Sequence, residues 1–136
     1  MSASVSIFTR IIRGEIPCHR VHEDALTFAF LDIAPLAPGH TLVIPRREVA
    51  LLHELTADEA AALARTAALL APRILAAVGA TAYNLLQNNG SAAGQVVPHV
   101  HVHIIPRREG DGLGYRWNAR SAAPEELAAL ATKIRA

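Results

Sequence analysis

Apolar and polar positions change period several times along this chain, and each change marks an element. Ile7, Phe8, Ile11 and Ile12 follow an i, i+1, i+4, i+5 spacing, which predicts a short amphipathic helix over 6–13. Gly14 ends it, and Pro17 prevents continuation. Residues 19–23 and 26–31 read as two strands of a hairpin turning at Glu23-Asp24, and a Pro38-Gly39 turn leads into a further strand ending at Pro45. Thr56 and Glu59 fit a capping box, opening an alanine- and leucine-rich helix that reaches Val78 before Gly79. Pro72 lies inside that helix and predicts a kink or break. Another strand covers 81–87, and Pro124-Glu125-Glu126 opens a last short helix.

The clearest period lies at 98–105, Pro-His-Val-His-Val-His-Ile-Ile. Alternating polar and β-branched residues predict a half-buried strand. His99, His101 and His103 then share one face, with neighbouring rings about 7 Å apart, while Val100, Val102 and Ile104 take the other. Three imidazoles so close oppose one another's protonation near neutral pH. A row of mixed protonation offers one neutral ring to attack and another to give a proton. Zinc ligation is the rival, since alternate strand histidines also suit a metal, although no HExxH or CxxC partner is present. His19, His22 and His53 carry no such pattern and read as ordinary surface or core residues.

Composition narrows the class. The chain has 136 residues, 51% hydrophobic and 18% charged, which suits one globular domain. A formal net charge of +1 gives no field to gather nucleic acid or a membrane surface, so anion recognition must be local. The lone Cys18 precludes an internal disulfide framework, and the first residues lack a signal-peptide pattern, so a cytoplasmic protein is expected. The apolar run 60–80 carries Arg65, Arg73 and Pro72, which argues against a membrane span.

Several residues carry two readings from chemistry alone. Phe8 and Ile11 serve equally as core or as a sandwich for a planar base. Asp32 acts as a turn cap or as acceptor for two vicinal hydroxyls, the cap being favoured. The loop 88–95, with Asn88, Gly90, Gly94 and Gln95, is a candidate phosphate cradle because glycines let backbone amides approach an anion. Arg107 and Arg108 either meet phosphate or solvate the surface, the latter favoured; Tyr115 and Trp117 follow the same loop.

Several blocks together resemble the histidine triad (HIT) superfamily of nucleotide hydrolases and transferases over residues 5–117, with 118–136 a tail. They are Ile7-Phe8-x-x-Ile11-Ile12-x-Gly14-Glu15-Ile16-Pro17, Phe30-x-Asp32-Ile33-x-Pro35, Gly39 to Pro45, Asn88-x-Gly90, Gly94-Gln95 and the histidine row. The resemblance implies an α+β domain with an antiparallel sheet of about five strands, one long helix and short terminal helices. It also implies a homodimer that continues one sheet through both copies. By that likeness His101 is the nucleophile on the α-phosphate of a purine nucleotide, forming a nucleotidyl-histidine that water resolves. His103 serves the phosphate and leaving group, and His99 and His40 support the nucleophile. Asn88 and the amides of Gly94, Gln95 and Val96 hold phosphate; Asp32 binds ribose; Phe8, Ile11, Phe30, Ile33 and Leu42 enclose the base.

Candidate substrates are dinucleoside polyphosphates or nucleoside phosphoramidates, with AMP or GMP as bound products; Arg107-Arg108 lean weakly to the former. The alternative from another class is a nucleotide-binding adaptor with incidental turnover. No cofactor is expected. Many bacterial relatives hold a structural zinc through a Cys-x-x-Cys pair, a histidine after the Pro-x-x turn and the first triad histidine. Here Ser6, Thr9 and Glu48 stand at three of those places, which predicts no structural zinc. Val96, where relatives often have Ser or Thr, lacks a hydroxyl for the phosphate, and Pro98 replaces bulkier or basic residues.

Overall fold

A computed structural model describes residues 4–114 and 119–135. A short helix α1 (Ile7–Ile12) precedes strands β1 (Arg20–Glu23), β2 (Thr27–Leu31) and β3 (Thr41–Pro45). The long helix α2 (Ala57–Val78), strands β4 (Ala82–Gln87) and β5 (Val102–Arg107), and a last helix α3 (Pro124–Arg135) follow. The strands form one antiparallel sheet in the order β1-β2-β3-β5-β4, so β4 and β1 are its edges. This is the expected α+β arrangement. Tyr115 and Trp117 lie outside the described residues.

Both faces of the central strands are covered, which is why β2 and β3 are near-continuous apolar runs. On one face Ala29, Val43, Val100 and Ile104 pack against Leu63, Ala67, Leu70 and Ile74 of α2. On the other, Phe28, Phe30, Leu42 and Ile44 pack with Phe8 of α1. Burying a leucine such as Leu63, 2% exposed, contributes about 1.5–3 kcal/mol.

Helix α2 begins at the predicted capping box, with Thr56 accepting from the Glu59 amide and Glu59 answering to the Thr56 amide. Arg47 clamps the same carboxylate and holds its pKa down to about 2. Gly79 closes the helix in the left-handed region at φ 69°, and the Arg108 guanidinium donates to the carbonyls of Val78 and Gly79. Arg107 pairs with Asp111 and Asn84. Both arginines thus have partners within the protein, and neither lines the pocket that His101 and His103 border.

Two expectations need adjusting. Of the kink or break expected at Pro72, the break does not occur: α2 runs through it as one element, with Pro72 on the exposed side and Leu70, Ala71 and Ile74 anchored on the sheet. The histidine strand is also shorter than 98–105, since β5 starts at Val102. The register pairs Val102 with Val43, so Val100 would come opposite Pro45, which has no N–H to offer the Val100 carbonyl and whose own carbonyl is taken by His99 Nε2. The Val100 amide donates to the Val49 carbonyl, outside the ladder. Gly39, at φ 88°, lets the turn before β3 pass beneath α2, because a Cβ there would lie 3.0 Å from Val78 Cγ1.

Candidate active site

The register Leu42↔His103 puts His103 on the same face as the aromatic cluster, and the arm leading into β5 carries His99 and His101 to that face. Phe8 stands edge-on to both, with ring centroids 5.7 Å from His99 and 5.0 Å from His101. His101 and His103 lie 5.0 Å apart, closer than a flat strand would set them. Alternation put the three rings on one side; the bend before β5 and helix α1 set their spacing.

Main-chain partners fix each ring's protons. His101 Nδ1 lies 2.7 Å from the His99 carbonyl, which can only accept, so Nδ1 carries the proton and Nε2 keeps its lone pair. His99 Nε2 donates to the Pro45 carbonyl at 2.8 Å, leaving Nδ1 to accept from Ser6 Oγ at 2.7 Å. His40 Nδ1 accepts from the Leu36 amide at 3.0 Å, so its Nε2 donates to His103 Nδ1 at 2.9 Å. His103 therefore presents Nε2–H. Burial lowers the pKa of His40 and of His99. It pushes His103 down to about 4, helped by His101 and His40. Asp32, His40 and His103 bring ligand atoms within 4.8 Å of one another, but the His40 Nε2 proton occupies the position a metal would need.

These rings border a pocket of about 430 Å³, a size that suits a small ligand. Of the residues singled out from sequence, His101, His103, Asp32, Phe8, Leu42, Asn88, Gly94 and Val96 line it. His40 and His99 stand behind the wall, 3% and 0% exposed. Phe30 and Ile11 pack in the aromatic cluster behind Phe8. Ile33 is 86% exposed and outside the pocket lining; it sits in the turn after β2, where strand alternation no longer governs direction. Gln95 also lies outside; its amide braces the loop to Gly90, Ala50 and Val97. Asp32 caps the turn through the Ala34 amide at 2.9 Å with one oxygen and has the other 3.7 Å from His40 Nε2.

Ile7, Leu36, Leu86 and Val97 complete the wall and were not singled out from sequence. Ile7 and Leu36 are exposed apolar residues in chain, 48% and 57%, a signal visible only once neighbours are known. Among the described residues, no lysine or arginine lines the pocket.

The HIT domain family model matches residues 13–110. An adenosine 5'-monophosphoramidase of Schizosaccharomyces pombe is 46% identical over 129 residues, covering 94% of this chain and 94% of that protein. The crystal structure of a HIT family member from Bacillus subtilis superposes with a TM-score of 0.90 at 38% identity, covering 97% of this chain and 96% of that one. A zinc-bound histidine triad family protein from Mycobacterium smegmatis superposes with a TM-score of 0.75 at 35% identity, covering 95% of each chain. With its three alternating imidazoles on one face of the sheet and these likenesses spanning most of its length, the chain belongs to the HIT domain family.

Proposed function

We propose that the protein hydrolyses nucleoside phosphoramidates, purine ones such as the amide of AMP, through a nucleotidyl adduct on His101. The observation that carries this proposal is the His101 ring, whose Nδ1–H is committed to a carbonyl so that Nε2 is the free nucleophilic nitrogen at the pocket wall. Attack through Nε2 with Nδ1–H retained makes the adduct ring cationic, and the ring leaves as neutral imidazole when water displaces it. His103 Nε2–H is the donor for the phosphoryl or leaving atom, and Asn88 with the amides near Gly94 and Val96 supplies further neutral donors. Asp32 takes ribose hydroxyls, and Phe8 and Leu42 flank the base.

Neutral donors favour a substrate of low charge. A dinucleoside polyphosphate spreads several negative charges that no lysine or arginine among the described lining residues balances, and Asp32 adds another carboxylate. That the fission-yeast relative is an adenosine 5'-monophosphoramidase supports the phosphoramidate side. The protein works in the cytoplasm as a homodimer, two copies meeting across β4 and α2 with no metal cofactor. Exposed Leu85 and Leu86 on the β4 edge support that contact, at 52% and 44%.

The test is a side-by-side assay of an adenosine phosphoramidate and diadenosine tetraphosphate with wild type and His101→Ala. We expect faster phosphoramidate turnover, its loss by at least about a thousandfold in His101→Ala, and an adenylyl adduct on His101 after rapid alkaline quench. Negligible wild-type turnover on both, with AMP binding unaffected by His101→Ala, would instead assign a nucleotide-binding adaptor.

A further inference from the structure

Zinc in the family's metal-bound members raises the question of what stands in its place here. The structure gathers Ser6, Thr9, Glu48 and His99 at one point behind the nucleophile. Glu48 Oε1 accepts from the Ser6 amide at 2.7 Å and from Thr9 Oγ1 at 2.6 Å. Ser6 Oγ accepts from the Thr9 amide at 3.1 Å and donates to His99 Nδ1 at 2.7 Å. These residues do not fit zinc: the set is two neutral hydroxyls, one carboxylate and one imidazole nitrogen that already accepts a proton. Nor does any buried side-chain polar atom among the described residues lack a partner.

We propose that Ser6 and Glu48 form a metal-free clasp that positions the nucleophile. Glu48 ties the first turn of α1 to the segment after β3. Ser6 holds His99 in the tautomer that donates to Pro45, and the His99 carbonyl in turn holds His101 Nδ1. The same helix carries Ile7 and Phe8 to the pocket wall, so one anchor sets both the attacking ring and the apolar side. Ser6 and Glu48 touch no substrate; they are positioning residues. The effect on rate rests on His101 being the nucleophile, while the effect on ring tautomers does not.

The experiment compares wild type, Ser6→Ala, Ser6→Thr and Glu48→Gln. It reads kcat and KM on an adenosine phosphoramidate, imidazole nitrogen-15 shifts of His99 and His101, and zinc content after growth with added zinc. We expect no stoichiometric zinc in wild type. Ser6→Ala should lower kcat about tenfold with KM within about twofold, the loss of roughly one hydrogen bond's orientation. It should also turn His99 from one tautomer to a mixture, and Ser6→Thr should restore both. Glu48→Gln, which keeps one acceptor, should lie between and serves where Ser6→Ala does not fold. One equivalent of zinc in wild type, unchanged His99 shifts in both Ser6→Ala and Glu48→Gln, or altered shifts with unchanged kcat would each overturn the clasp. If wild type itself proves inactive, the shifts alone decide.

Discussion

His103 is neutral at working pH because burial, then His101 and His40, hold its pKa down to about 4. In an unfolded chain the same ring titrates near 6.5. Between those values the unfolded state binds more protons, so this contribution to stability is complete above about pH 6.5 and shrinks as pH falls towards about 4. His40 and His99 are shifted the same way, chiefly by burial. The Tm should therefore fall on acidification across that window, and less steeply for His103→Asn, as calorimetry at several pH values would read; parallel slopes would put the pH dependence in other groups. The row of imidazoles was legible at this scale because a strand's period of two assigns faces with no knowledge of neighbours. Ile33 was not, since its direction is set by a turn, and Asp32 showed only half its partners, because His40 reaches it through the fold.

At the scale of elements, α2 is where sequence and structure part most usefully. Its start was written locally in Thr56 and Glu59, but its continuity through Pro72 depends on residues of the sheet that receive Leu70 and Ile74. Packing on both sides of the proline outweighs the missing hydrogen bond to the Ala68 carbonyl. Pro72→Ala on this exposed face should restore that bond and raise unfolding free energy by about 2–3 kcal/mol, read by urea titration. Thr56→Ala should lower it by about 1 kcal/mol in the same titration. The early end of the β5 ladder was illegible for a different reason. Pro45, which has no N–H to give, belongs to the neighbouring strand, so only the register reveals which carbonyl faces no donor.

For the whole molecule, the order of strands leaves β4 as an edge with Tyr83, Leu85 and Leu86 exposed. No local pattern encodes that placement, because it follows from β5 inserting between β3 and β4. A charge in the middle of that edge, Leu85→Arg, should turn the proposed dimer into a monomer in sedimentation velocity while leaving the folded protomer's circular dichroism intact. A wild-type monomer at high concentration would remove the dimer from the account. Leu86 belongs both to this edge and to the pocket wall beside His103. In the proposed dimer, specific activity should then be a function of dilution: as copies separate, the enzyme would lose its grip on substrate before any reacting group has changed, and would so gauge its own abundance.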